Sequence, residues 1–349
     1  TAKEVCGVSV ESWLEQARAC DASDLHIVVG APPTVRRFGV LKPLTALAVT
    51  AEQAQAVAFA LLSANEWAQL RGCAEVETGR VSEVGGRLRI TATRQRDQFS
   101  LAIRLLGSRV PSLSELGLPD AVCGLARVRR GLIVVAGATG CGKSTTLAAL
   151  VAAIGRERAA RVICLEDPIE YWHEHGRGTV EQREVGRDTD SFASGLRTAL
   201  RQDPDVIAIG ELRDADVVDL ALRAAESGHL ALATLHAVDT SAAITRLIEC
   251  GGLVSGSDVR ARLAAVLRAV VAQQLWPRAD GSGLALAAEV LLATEAVSNV
   301  IRSDQRQQLR SLLQTGRAVG MQTFSWSVQR LVSAGVVEPP ADIIDPLAP

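Results

Sequence analysis

The stretch with the most chemical content is GATGCGKS, residues 137–144. It fits the pattern G-x-x-x-x-G-K-[ST], a loop built to bind phosphate. Gly137, Gly140 and Gly142 let the backbone curl so that successive N–H groups face one anion. Ala138, Thr139, Cys141 and Thr145 complete the cradle. Lys143 reaches the β- and γ-phosphate oxygens of a nucleoside triphosphate, and the Ser144 hydroxyl can bind Mg²⁺. Cys141 reads as a tolerated small residue rather than a redox centre, because such a loop mainly needs small side chains there.

Other stretches end in groups that suit the same reaction. DVIAIGELRD, residues 205–214, is an apolar run ending in Glu211, an acid placed to hold Mg²⁺ or polarise a water. RVICLEDPIEY, residues 161–171, ends in Glu166, Asp167 and Glu170. Hydrolysis needs a water in line with the γ-phosphate, and Glu166 is the candidate that orients it. GHLALATLH, residues 228–236, carries His229 before a strand and His236 at its end. Parallel strands present their C-terminal ends together, so His236 should reach the edge of Glu166 and Glu211 and sense the γ-phosphate. Arg94, Arg96 and Arg104 are candidates for an arginine brought to the phosphates by another domain or subunit. His173 and His175 flank Glu174 in what reads as a solvated loop.

These groups need elements to position them. LIVVA, residues 132–136, reads as a buried parallel strand, and TTLAALVAAI after the loop as a helix with its N-terminus toward the anion. From about residue 119 apolar strands alternate with helices, the pattern of parallel crossover units. Expected strands are 132–136, 161–165, 205–209 and 230–235, and expected helices 143–155, 190–202, 214–226 and 240–249. Beyond about 255 the chain reads as mostly helical to 335, with a frayed tail. The first 106 residues read as a smaller α+β domain: a helix over 1–20, alternating strands at 25–29 and 35–41, a helix over 51–71, and strands within 79–106. Residues 107–118, rich in Gly, Pro and Ser, form the expected linker. The expected domains are therefore 1–106, 119–290 for the phosphate-binding core, and a helical region over 291–349.

Composition narrows the class. The chain has 349 residues, 48% of them hydrophobic and 22% charged, which suits two globular domains. A net charge of -2 supplies no general basic footprint for nucleic acid. The seven cysteines include no C-x-x-C pair, so a zinc ribbon is not expected and the thiols read as reduced and intracellular. No apolar run approaches the roughly 20 residues that span a bilayer, and no signal peptide is apparent.

Taken together, the motifs resemble the secretion-ATPase superfamily, and within it the type IV pilus retraction (PilT-like) ATPases. The resemblance runs from SDLHIVVGAPPTVRRFGVLKPL to GMQTFSWSVQRLV. RGLIVVAGATGCGKSTTLAAL resembles the family's Walker A region. ICLEDPIEYWHE and REVGRDTDSFASGLRTALRQDPDVI resemble its Asp box and the approach to Walker B. GELRDADVVDLALRAAESGHLALATLH resembles Walker B and the His box. The resemblance implies a RecA-like P-loop ATPase core of α/β class, a PAS-like N-terminal domain, ATP with Mg²⁺, and a homo-hexamer. It implies Glu166 as general base, Glu211 as the Walker B acid, His229 and His236 as His-box residues, and Arg104 as the N-terminal-domain arginine that reaches the nucleotide. It further implies a cytoplasmic motor, peripheral at the inner membrane, acting on the pilus platform protein.

One departure bears on function. AVSNVIRS, residues 296–303, stands where the family has AIRNLIRE, with Ser298 for Arg and Ser303 for Glu. This raises the expectation of weak retraction, or of a second pilus motor ATPase as partner. The open alternatives are an accessory or pseudopilus (type II secretion) assembly ATPase, and a RecA-like nucleic-acid translocase.

Overall fold

The computed structural model describes residues 10–73, 75–84, 86–106, 109–251 and 256–339. The chain divides into two compact units, Thr1–Arg109 and Val110–Pro349.

The first unit opens with α1 (Val10–Ala19), whose buried Val10, Trp13, Leu14 and Ala17 recur at helical spacing. Strands β1 (Asp24–Val28), β2 (Thr34–Arg37) and β3 (Val40–Pro43) follow, then α2 (Ala51–Leu61) and α3 (Ala64–Cys73). Strands β4 (Glu75–Ser82), β5 (Gly86–Gln95) and β6 (Gln98–Leu105) complete an antiparallel sheet of order β3-β2-β1-β6-β5-β4. Leu25, Ile27, Leu88, Ile90, Leu101 and Ile103 fill its core, the inward half of the period-2 pattern.

Two expectations for this unit need correction. The single return strand over 35–41 is a hairpin, because Phe38 and Gly39 both take positive φ (48° and 83°). That pair closes the two-residue turn whose twist matches the strands. The single helix over 51–71 is two helices. Ser63 and Glu66 form a reciprocal cap, with Ser63 N–H donating to Glu66 Oε2 at 2.7 Å and Glu66 N–H to Ser63 Oγ at 3.4 Å. The S-x-x-E signature was present in the sequence.

The second unit is organised by seven strands in the order β13-β12-β7-β11-β10-β8-β9. They are β7 (Gly131–Gly137), β8 (Arg161–Glu166), β9 (Thr179–Glu184), β10 (Val206–Ile209), β11 (Leu230–Leu235), β12 (Leu267–Pro277) and β13 (Leu284–Leu292). All neighbours pair parallel except β12 and β13. The helices are α4 (Asp120–Cys123), α5 (Lys143–Glu157), α6 (Phe192–Ala199), α7 (Ala215–Glu226), α8 (Thr240–Cys250) and α9 (Gly256–Val266). α10 (Glu295–Arg302), α11 (Leu309–Thr315) and α12 (Phe324–Ser333) come after the last strand. Ser191, Asp214 and Asp239 cap α6, α7 and α8 by accepting backbone N–H groups, which explains where those helices start.

Alternate residues of the strands enter different cores. Ile133, Val135, Val162 and Leu232 pack with Leu147, Leu150 and Ile154 of α5. Leu132, Val134, Ile163, Ile207 and Ala233 pack with Leu196, Val218, Leu222 and Ile244 of the other helices. A strand buried on both faces must be apolar at every position, hence the unbroken runs in the sequence.

The expectation of a mostly helical chain after 255 is overturned by β12 and β13. β12 inserts beside β7, with Gln273 opposite Gly137, and β13 folds back on it. An apolar run such as LRAVVAQQLW fits a buried helix as well as a buried strand, so periodicity could not separate them. The turn residues Asp280, Gly281, Ser282 and Gly283 were the available signal. β13 also crosses position 290, and Val297, Ile301, Leu309 and Leu313 of the late helices share the core of the sheet. β9 was not expected.

Ile133 is fully buried, whereas Val40 is 57% exposed. Truncating Ile133 to alanine should destabilise the second unit by ~2–5 kcal/mol, while Val40→Ala should change the first by less than ~0.5 kcal/mol. Urea unfolding of both variants checks the contrast.

Candidate functional site

Strand register builds the site. Leu235 pairs with Ala136, Ile209 with Ala233, and Leu165 with Ile209. The C-terminal ends of β7, β11, β10 and β8 therefore lie along one edge. That edge carries the glycine loop, His236, Glu211 and Glu166. His229 does not reach it. It precedes β11, and its carbonyl accepts the Gly131 N–H at the start of β7. Its Nδ1 lies 2.8 Å from Ser227 Oγ and 3.1 Å from the Ala224 carbonyl oxygen. A strand of this length rises roughly 20 Å at 3.3 Å per residue, so within one chain His229 sits at the wrong end of the sheet.

The loop has the geometry of an anion cradle. Gly142, with φ of 87°, is the N-cap of the 15-residue α5. The first-turn N–H groups of such a helix lack intrahelical acceptors and favour a bound anion. Gly137 is constrained by space as well as by its φ of 150°. A Cβ there would lie 2.3 Å from Cys141 Sγ and 2.7 Å from the Gln273 carbonyl oxygen. Lys143 Nζ donates to the carbonyls of Gly137 (2.9 Å) and Ala138 (2.8 Å), which hold the cation across the loop. Cys141 is buried, and burial raises its thiol pKa despite nearby Lys143, so the neutral thiol is favoured.

Side chains tie the loop to its neighbours. Thr139 Oγ1 lies 2.9 Å from His236 Nε2. Thr145 Oγ1 lies 3.1 Å from Tyr171 Oη. Thr146 Oγ1 accepts the Gln273 Nε2–H at 2.7 Å, within the buried seam between α5 and β12.

The carboxylates have firm partners. Glu166 Oε1 accepts from Gln182 Nε2 at 2.8 Å. Arg213 spans two strand ends: its Nε donates to Glu211 Oε2 at 2.7 Å and its Nη1 to Asp167 Oδ2 at 2.9 Å. Its guanidinium also lies 5.7 Å from the Phe192 ring centroid. The hydrogen bond that Arg213 donates to Glu211, with the charges of Glu211 and Asp167, raises the Arg213 pKa against its partial burial. Sequence reasoning missed Arg213, Gln182, Tyr171 and Gln273 as parts of the site. Arg213 stood in plain sight beside Glu211, but Gln182 lies on the unexpected β9 and Gln273 on the unexpected β12.

The remaining expected residues belong to the first unit or differ in environment from the expectation. Arg104, on β6 of the first unit, donates its Nε–H to Asp24 Oδ1 at 3.0 Å. Arg94 pairs with Asp97 at 3.2 Å, and Arg96 occupies the left-handed turn between β5 and β6. His173 and His175 are not simply solvated. His175 Nδ1 accepts the Val180 N–H, and burial lowers the His173 pKa to about 4. Among the described residues no three His, Cys, Asp or Glu side chains form a metal cluster. Ser144 in the first turn of α5 and Glu211 just beyond β10 offer one hydroxyl and one carboxylate, donor types that Mg²⁺ takes alongside substrate phosphates.

A parallel sheet with a glycine loop opening its central helix, and acids at the neighbouring strand ends, defines a RecA-like P-loop nucleotide-binding core. The chain belongs to the family described as type II/IV secretion system protein, whose sequence model matches residues 8–324. It is 38% identical over 315 residues to the type IV pilus ATPase PilU of Pseudomonas aeruginosa, covering 90% of this chain and 82% of that protein. It is 36% identical over 318 residues to the type IV pilus retraction ATPase PilT of the same organism, covering 90% and 92%. Among solved structures, the pilus retraction motor PilT with bound ADP superposes with a TM-score of 0.85 at 37% identity, covering 95% of each chain. The chain is therefore PilT/PilU-like.

The His173 environment yields a stability prediction. An unfolded histidine titrates near 6.5, whereas folded His173 titrates at about 4. As pH falls from 6.5 towards 4, the unfolded chain gains a proton that the native state refuses, so stability is lost across that window. The denaturation midpoint should fall less steeply there in His173→Gln than in the parent. Equal slopes would contradict this account.

Proposed function

We propose that this chain is an ATP-hydrolysing motor that drives type IV pilus retraction. The reading rests above all on one observation: the phosphate loop shares a sheet edge with Glu166, Glu211 and His236 in a chain that aligns with pilus motors over 90% of its length.

In this reading the loop from Gly137 to Thr145 wraps the phosphates of ATP. Lys143 turns from its carbonyl partners to the β- and γ-phosphates. Ser144 and Glu211 would hold Mg²⁺, which would neutralise phosphate charge. Glu166 orients the attacking water, and His236, fixed through Thr139, reads the γ-phosphate. Arg104 acts as the arginine supplied by an N-terminal domain within a homo-hexameric ring. The motor works in the cytoplasm, docked at the inner membrane on the pilus platform protein, with a second pilus motor ATPase as partner.

Lys143→Ala and Glu211→Ala should each abolish turnover, with Glu211→Ala retaining more nucleotide affinity. Undiminished hydrolysis by purified Lys143→Ala protein would refute the assignment. An arginine finger contributes on the order of 10³–10⁵ in rate in the best-studied cases, so Arg104→Ala should slow turnover clearly. Light scattering should find a hexamer with nucleotide present, and single-stranded DNA should leave the ATPase rate unchanged.

The segment 296–303 generates a separate expectation. α10 packs Val297, Val300 and Ile301 inward, while Ser303 caps the helix end by donating to the Asn299 carbonyl at 2.8 Å. Ser298 and Arg302 stand four apart on one face, so that face has one cation fewer than the family pattern. In a retraction-deficient host the chain should restore retraction weakly by itself. The double variant Ser298→Arg, Ser303→Glu should improve it with the ATPase rate unchanged. Full retraction by the unmodified chain alone would overturn this prediction.

A further inference from the structure

We propose that Gln182 is a positioning residue that aims Glu166, and that Tyr171 ties this pair to the first turn of α5. The inference rests on the reading of Glu166 as the group that orients water.

A glutamate at a strand end swings about three side-chain bonds, so its carboxylate needs a partner to hold one direction. Gln182 supplies it, donating from Nε2 to Glu166 Oε1 at 2.8 Å. The same Nε2 donates its second hydrogen to the Tyr171 carbonyl at 2.7 Å. At the other end of the amide, Oε1 accepts the His173 N–H at 2.9 Å. These partners define the amide orientation. A flip would set oxygen against a carboxylate and a carbonyl, and an NH₂ against an N–H. With both hydrogens and the oxygen engaged, Gln182 is a rigid bracket rather than a mobile surface side chain.

The bracket continues to the nucleotide loop. Tyr171 gives its carbonyl to Gln182 and places its hydroxyl 3.1 Å from Thr145 Oγ1. Thr145 lies in the first turn of α5, two residues beyond Lys143. A connected path therefore runs from the helix that follows the phosphate loop, through Tyr171 and Gln182, to the Glu166 carboxylate. Its chemical consequence is alignment. The γ-phosphate is located by the loop and the water by Glu166, and in-line attack requires both in one frame. Small misplacements of a reacting group cost rate far more than they cost binding.

The test is a double-mutant cycle on the full-length chain. Turnover, affinity for a fluorescent ADP analogue and thermal midpoint are measured for Gln182→Leu, Glu166→Gln and the double variant. Gln182→Leu should lower kcat by about tenfold or more with ADP affinity within about threefold of the parent, because the loss falls on alignment rather than on ground-state binding. In the Glu166→Gln background the same change should alter kcat by less than about twofold, since residues acting as a unit are not additive. Tyr171→Phe should give a smaller loss of kcat in the same sense. An equal fractional loss of kcat in both backgrounds, or parallel losses of kcat and ADP affinity, would overturn the proposal and leave Gln182 a structural residue. Gln182→Glu keeps the shape while turning a donor into a like charge. It should reproduce the selective loss of kcat, so the test survives if the leucine variant does not fold. Full turnover by Glu166→Gln alone would instead remove the assignment of Glu166, an outcome distinct from additivity in the cycle.

Discussion

Everything at the proposed site depends on parallel register among strands buried on both faces. β7, β11, β10 and β8 are locked by side chains such as Ile133, Leu232, Ile207 and Ile163, all fully buried. A slip of one residue would exchange the two faces of a strand and send its side chains into the wrong core. Burial of each such side chain stabilises by about 1.5–3 kcal/mol, so the register is strongly specified. Since the strands run the same way, specifying register also specifies where their C-terminal residues stand. The placement of Glu166, Glu211 and His236 along one edge is thus a by-product of hydrophobic packing remote from the chemistry.

Electrostatics then organises what packing has brought together. Glu166, Asp167 and Glu211 crowd adjacent strand ends, where unpaired like charges would repel one another. Arg213 bridges Asp167 and Glu211, and Gln182 holds Glu166 without adding charge. Lys143 meanwhile rests on loop carbonyls, neutral acceptors that it can exchange for phosphate oxygens. A cation held by neutral dipoles and acids held by directional donors make the edge ordered before any substrate arrives. For Glu166, a direction fixed in advance lowers the reorganisation that catalysis would otherwise require, whereas Lys143 must exchange its partners.

The N-terminal unit follows a different logic. Its antiparallel sheet needs only one buried face, which is why its strands alternate while those of the second unit are continuously apolar. Its local devices are turn chemistry and caps: the positive-φ pairs at Phe38–Gly39 and Arg96–Asp97, and the reciprocal bonds of Ser63 and Glu66. Arg104 projects from this sheet with its charge already shared with Asp24. The Arg104 guanidinium is half exposed, whereas the Asp24 side chain it pairs with is only 14% exposed, so the contact is a partly buried pair rather than a loose surface one.

The sequence by itself determined the phosphate loop, the strand and helix that flank it, and the acids at Glu166 and Glu211. Those features are local: a glycine pattern, an apolar run and a cap can each be read within about ten residues. It also located the helix starts at Ser191, Asp214 and Asp239 to within a residue or two, because capping chemistry acts over a single turn. The tertiary structure alone decided the rest. It turned the apolar run at 267–277 into a strand, because the open side of β7 offered hydrogen bonds that an isolated segment cannot anticipate. It set His229 and His236 at opposite ends of one strand. The first faces Ser227 and the second faces Thr139, although in sequence both flank the same motif. It also brought Gln182, Tyr171 and Thr145 into one hydrogen-bonded path although they come from three separate segments. Such long-range pairings leave no periodic trace, since they depend on which strands become neighbours rather than on the order of residues along any one of them.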